Sequence, residues 1–144
     1  KNKQRSNMIK IPTGNTIDDI KGRSKIISDF YRRWYSLHPD KKIYNIHLKE
    51  YISVKYVSIT ETMRHASKSY YSTLAVLQLD AILATSKKKG SLLPIKADSK
   101  NQKDFSHMMK MQCNLEGIGT VKLMVGIKKK SKEKVQYCIT AIST

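Results

Sequence analysis

The feature that most constrains this fold is a change of hydrophobic period ahead of the last third of the chain. Up to about Ser86 most apolar residues recur at helical spacing, whereas Phe105, His107, Met109, Met111, Cys113 and Leu115 alternate with polar or smaller neighbours. Val121, Leu123, Val125 and Ile127 alternate in the same way, as do Val135, Tyr137 and Ile139. Alternation puts every second side chain on one face of a strand, and Glu116-Gly117 and Lys130-Ser131-Lys132-Glu133 supply turn chemistry between the runs. The pattern predicts a three-stranded antiparallel meander in the C-terminal part. Helices that precede it must lay their apolar stripes on one face of a mainly antiparallel sheet, which is an α+β architecture.

Asn15 or Thr16 is placed to cap a helix from Ile17, with Asp18 and Asp19 in the first turn where the helix dipole favours negative charge. Ile20, Ile27, Tyr31 and Trp34 share one face; Arg23, Lys25, Arg32 and Arg33 fall on others, and His38-Pro39-Asp40 ends the helix. Ile43, Ile46 and Leu48 are ambiguous, while Ile52, Val54 and Tyr56 read as a half-buried strand. Ser58 reads as the next cap, with Glu61 as its capping-box partner. Leu74, Leu77, Ala81 and Ile82 outline a further helix that stops at Lys87-Lys88-Lys89-Gly90, cations in its last turn. Ser91 to Gln102 is a loop with room for a short strand at Leu92-Leu93. Residues 1–14 read as a basic arm or linker, in which Ile9 and Ile11 suggest an edge strand, and 15–144 as one domain. A chain that begins at Lys1 with a polar basic stretch reads as a piece of a longer polypeptide.

Lys and Arg number 28 against 11 Asp and Glu, a formal charge of +17. That excess repels itself unless an anion offsets it, and nucleic acid, an acidic membrane surface and an acidic protein are the candidates. The clustering of Lys87, Lys88 and Lys89, and of Lys128, Lys129, Lys130, Lys132 and Lys134, favours nucleic acid, RNA ahead of DNA; a lysine-rich solvated surface is the competing explanation. A two-stranded ribbon with lysines at its tip fits a groove or lies along a phosphate backbone. Tyr44, Tyr51, Tyr56, Tyr70 and Tyr71 are available for base stacking, with packing as their competing role. The apolar run from Leu74 to Leu83 is interrupted by Gln78 and Asp80, so a soluble, cytoplasmic protein without a membrane partner is expected. Cys113 and Cys138 form no CxxC pair, and there is no Gly-rich phosphate loop, dinucleotide fingerprint or HExxH; no cofactor and no metal are expected.

One constellation carries chemistry: Arg64-His65-Ala66-Ser67-Lys68, with Tyr70 and Tyr71 beside it. Histidine titrates near neutrality, Arg or Lys stabilises charge on a phosphorane, and a hydroxyl orients it. Metal-independent RNA cleavage asks for little more. A junction of ordinary polar residues is the bland reading of the same stretch. His38 abuts a turn, His107 lies on the apolar parity of its strand as a hydrogen-bonded structural histidine would, and His47 is undecided.

The helix Ile17 to Trp34, the strand-like Ile46 to Val57, the segment Ile59-Thr60-Glu61-Thr62-Met63-Arg64-His65-Ala66, the apolar helix Thr73 to Leu83, and the runs Val121 to Ile127 and Val135 to Ile142 together resemble the third class of large polyvalent protein-associated domains. That family occurs in phage and mobile-element polyproteins. The resemblance implies an α+β module similar to the barnase/EndoU/colicin/RelE-like ribonuclease fold, with other domains of a parent polyprotein as neighbours. It singles out Arg64 and His65, and Tyr137 and Thr140 on the last strand, as site positions. Tyr137-Cys138-Ile139-Thr140 stands where such nucleases carry a Tyr followed by His, so a histidine on that strand is absent. The function expected is a nucleic-acid-interacting module with RNase-like chemistry, and a non-catalytic interaction or structural domain is the alternative.

Overall fold

The computed structural model describes residues 10–142; Ile9 and the rest of the arm before Lys10 lie outside the described residues. Thr16 starts α1 (Ile17–Leu37): its hydroxyl accepts from the Asp19 amide at 3.1 Å, and Asp19 Oδ2 accepts from the Thr16 amide at 3.2 Å. This reciprocal cap satisfies two N–H groups that the helix leaves open. The stripe that α1 buries is Arg23, Ile27, Tyr31 and Trp34. Arg23 thus departs from the outer faces expected for it. Its Nε donates to Ser67 O, and Nη1 to Pro12 O and Gly14 O, each at 2.7 Å; Nη2 has no partner among the described residues. Three carbonyl oxygens replace water around a buried guanidinium, which pins the segment ahead of α1 to the turn after Ala66.

Next come β1 (Lys42–Asn45) and β2 (Glu50–Ser53), an antiparallel hairpin. The strand expected through Tyr56 stops short: the chain leaves the sheet, and Tyr56, 80% exposed, opens α2 (Tyr56–Ala66). Ser58 is inside this helix and not its cap, because its hydroxyl accepts the Lys55 amide at 2.9 Å. Glu61 is therefore no capping-box partner, and it is buried at 2% exposure. The helix expected through Leu74 to Ile82 is two, α3 (Tyr70–Val76) and α4 (Leu79–Thr85). The break between them rotates the stripe, so Ala75, Val76, Leu79, Ile82 and Leu83 are buried, while Leu74, Leu77 and Ala81 are half-buried. Lys87 and Lys88 are not a helix's last turn: α4 ends at Thr85 and they form the strand β3 (Lys87–Lys88).

After β4 (Leu93–Pro94) and a 3-10 turn (Lys100–Gln102), β5 (Phe105–Leu115), β6 (Gly119–Lys128) and β7 (Lys134–Ile142) form the expected antiparallel meander. The sheet runs β1-β2-β7-β6-β5-β3, with β4 also on β5; among the described residues the β2–β7 pairing is parallel and the others antiparallel. The helices cover one face, where Ile27, Tyr31 and Trp34 join Met109, Met111, Val121, Leu123, Val125 and Ile139 in the main core. Among the described residues no helix is long and apolar enough to cross a membrane.

Beyond Val135 no strand among the described residues lies beside the free edge of β7, since β2 pairs with Lys134 and Val135 and stops. Hydroxyls from the helices take over. Ser58 donates to Gln136 O, Thr62 to Tyr137 O at 3.4 Å, and Ser72 Oγ accepts the Ala141 amide at 2.9 Å. Main-chain groups that would otherwise template pairing with another chain are satisfied in this way.

Two bulges re-aim residues. The register slips between Phe105 and His107, which turns Phe105 to the outer face beside Met108. His107 keeps the parity of Met109 and pairs with Ile127, yet it is exposed, 3.3 Å from Ser106 Oγ, and not a buried structural histidine. A second slip at Tyr137 separates Val135 and Tyr137 from Ile139: the first two join a cluster on the outer face and Ile139 stays under the helices. Gln136 faces inward, accepting from the buried Tyr31 phenol at 2.9 Å and donating to Thr62 Oγ1 at 2.7 Å.

Candidate nucleic-acid interface

The sheet face turned away from the helices has two parts. In the first, Phe105, Met108, Val135 and Tyr137 form a second apolar cluster, onto which Leu93 and Ile95 from the segment 91–104 pack. The Phe105 ring lies over Gly126, where an added Cβ would come within 2.5 Å of a ring carbon. Gln102 holds the covering segment down, donating to the Tyr137 hydroxyl at 3.4 Å and accepting the Lys96 amide at 2.8 Å.

In the second part the cover stops. Strand register sets Lys87, Gln112, Lys122 and Thr140 in one row across four strands, and Lys110, Met124 and Cys138 in the next. Lys89 joins this second row through its amide, which donates to Lys110 O at 2.8 Å. Lys89, Lys110 and Lys122 with Met124, Cys138 and Thr140 line an open concavity of about 360 Å³, and no acidic residue lines it. None of the three lysines makes an ion pair among the described residues. Burial pushes the Cys138 thiol up to about 12, the charge of Glu61 adding to the effect and those of Arg64 and Lys96 opposing it. The thiol is therefore protonated at neutral pH and acts as floor, not nucleophile.

The charged end of α2 is near enough for Glu61 and Arg64 to act on Cys138. Glu61 Oε1 accepts from Arg64 Nη2 at 3.0 Å and lies 3.5 Å from His65 Nε2, while Oε2 accepts from Asn101 of the covering segment. Burial alone would raise the Glu61 pKa; the hydrogen bonds from Arg64 and Asn101, with the charges of Arg64 and His65, outweigh it and hold the carboxyl below its usual range. His65 is held below its ordinary value, by burial first and then by Arg64 and Lys68, with Glu61 pulling the other way. A neutral imidazole of this kind accepts a proton at neutral pH.

The residues singled out from sequence thus fall into separate places. Arg64, His65 and Lys68 act on one another at the end of α2, and Thr140 lies in the concavity. Tyr137 belongs to the covered part, 5% exposed. Lys87, Lys88 and Lys89 lie on the β3 side of the open part. Lys128, Lys129 and Lys130 line a hollow with Lys103 at the far end of β6, and Lys132 beside them takes a left-handed φ of 63°. Lys134 is spent on Glu50 at 2.9 Å, its side chain 12% exposed. His38 stacks on Trp34, centroids 4.1 Å apart, with Nε2 3.3 Å from Asp80. His47 is exposed. Sequence reasoning missed Lys110 and Lys122, because each is a single lysine inside a strand. Their signal is parity: both lie on the positions that alternate away from the core. Among the described residues no group of three or more His, Cys, Asp and Glu side chains is placed to hold a metal ion. No protein-family model, no curated protein and no solved structure matches the chain.

Proposed function

We propose that the open part of the outer sheet face binds nucleic acid, RNA foremost, by its phosphates. The observation that carries this reading is a concavity lined by Lys89, Lys110 and Lys122 with no acid among its lining residues. Lysines that neutralise phosphates release condensed counterions, which drives binding without reading sequence. Supporting it, residues 87–134 hold 13 lysines against 4 acids. With the resemblance above, the reading extends to a module of a phage or mobile-element polyprotein. Fluorescence anisotropy with labelled RNA over a salt series tests the reading: log affinity falls linearly with log salt, and Lys89→Gln, Lys110→Gln and Lys122→Gln each reduce the slope by about 0.7 to 0.9. Absence of binding at low salt, or a slope unchanged in the triple variant, rejects it.

A second reading, metal-independent RNA cleavage, draws on the cluster of Glu61, Arg64 and His65 at the end of α2. His65 takes the proton of a 2′-hydroxyl as that oxygen bonds to the adjacent phosphorus, the bond to the 5′-oxygen breaks and solvent water protonates that leaving oxygen, while Arg64 offsets the charge on the phosphorane and Glu61 orients the imidazole. Incubation of RNA with the protein in EDTA decides between the readings. Products that vanish with His65→Ala, binding being retained, support cleavage; binding without products leaves an interaction module.

A further inference from the structure

At the far end of the outer face, aromatic rings sit beside lysines. Tyr44 and Tyr51 are cross-strand partners in the β1–β2 hairpin, their centroids 5.3 Å apart and their planes at 74°. Their neighbours Ile43 and Ile52 pack into the helix-side core, so the two tyrosines project from the opposite face, the one that carries the lysine concavity. They are 44% and 51% exposed, and Lys42 Nζ lies 4.6 Å from the Tyr51 ring centroid. The tip of the β6–β7 hairpin is stitched alongside: Ser53 donates to Glu133 at 2.7 Å and Lys134 pairs with Glu50 at 2.9 Å. These contacts occupy Glu50 and Glu133, and Asp104 is the acid that lines the hollow with Lys128, Lys129 and Lys130 among the described residues. Lys129, Lys130 and Lys132 remain exposed and make no ion pair among the described residues.

We infer that this corner is a second anchoring point for the same ligand and that the ligand is single-stranded: a base stacks on the face of one ring of the Tyr44–Tyr51 pair, which its T-shaped partner holds in place, while neighbouring phosphates lie on Lys129, Lys130 and Lys132. The inference rests on the nucleic-acid reading and adds to it the strandedness and the length of the ligand. A base presents its faces to protein rings when it is unpaired, and rings already fixed by a cross-strand partner lose little freedom on stacking. From Lys122 in the concavity to Lys129 at the tip is seven residues of β-structure, about 24 Å at 3.4 Å per residue. A stacked strand advances roughly 3.4 Å per nucleotide, so about seven nucleotides bridge the two anchors. Between them the covering segment exposes Lys96, Lys100 and Lys103, which continue the cationic path.

An unpaired oligouridine series from about four to about twelve nucleotides, bracketing that span, is the test. Parent protein shows a step of at least about ten-fold in affinity near seven nucleotides, where the second contact becomes intramolecular. Tyr44→Ala with Tyr51→Ala, both exposed, removes the step and weakens the longest oligomer about ten-fold while leaving the shortest unchanged. Lys129→Gln, Lys130→Gln and Lys132→Gln do the same by an independent route. Long oligomers that bind both variants as they bind the parent overturn the inference, as does equal affinity for a duplex of the same length. In either case the short oligomers still bind. Failure of every oligomer to bind at low salt is a different result and removes the nucleic-acid reading itself.

Discussion

The two parts of the outer sheet face are made from the same three strands and separated by a few residues. In one, Phe105, Met108, Val135 and Tyr137 are dry beneath Leu93 and Ile95; in the other, Lys110, Lys122 and Thr140 stand open. Backbone pairing is continuous through both, so the difference lies in what is laid on top. An apolar row can be closed by a loop that brings two aliphatic side chains. A row of ammonium groups cannot, because a cation buried without a partner costs more than the covering contacts return. The covering segment ends where the side chains beneath it change, and the lysines stay available to an anion from outside.

Four experiments separate the dry part from the open one. The largest effect belongs to the dry part: Phe105→Ala removes the ring over Gly126 and lowers stability by about 3 to 5 kcal/mol in chemical denaturation. The salt slope of RNA binding stays at the parent value in the folded variant. A changed slope would join the two parts into one unit. Next, Gly126→Ala drives a Cβ into the same ring, at a cost of about 1 to 3 kcal/mol. Combined with Phe105→Ala it costs less than the sum, since the ring it strikes has gone; simple additivity would count against this packing.

A smaller effect follows from Glu61, whose Asn101 contact ties the covering segment to α2. Its carboxyl stays ionised to lower pH in the folded chain than in the unfolded one, so the unfolded state binds more protons as acid is added. The stability this contributes is present above the usual carboxylate range and is lost as pH falls through the lowered folded value. Glu61→Gln is accordingly less stable than the parent near neutrality, and the gap narrows in acid. A gap that holds constant down to acid pH would mean that the charge is not what matters. The smallest stability effect belongs to the open part: Lys110→Gln with Lys122→Gln shifts unfolding by no more than about 0.5 kcal/mol while weakening RNA binding. A large loss of stability there would show the lysines to be structural.

How much of this could be read from the chain depends on distance along it. The α1 cap and the meander are local patterns, carried by Thr16 with Asp19 and by alternation through Val121, Leu123, Val125 and Ile127. Ser58 and Glu61 have the spacing of a capping box, and nothing local distinguishes that motif from a buried carboxylate held by Arg64 and Asn101. Arg23 looks like a surface residue until three carbonyl oxygens from distant segments converge on it. The bulges at Ser106 and Tyr137 reverse parity without a sequence mark, which separated Phe105 from Met109 and Met111 and divided Val135 and Tyr137 from Ile139. Arg64 and His65 were found because they are adjacent. The concavity was not found, because strand pairing assembles it from single residues.

The hydroxyls that complete the edge of β7 connect residues 78, 75 and 69 positions apart. During synthesis α2 and α3 leave the ribosome long before the strand they are shaped to hold. Their serines and threonines then face water, and the apolar stripe of α1 lacks the sheet that will bury it. Closure of such long loops precedes the contacts that reward it, which makes assembly slow and leaves a sticky intermediate until β7 arrives. A nascent chain stalled before Lys134 would therefore hold α2 and α3 without the strand whose edge they complete, and a partner able to shield that exposed surface would speed its maturation.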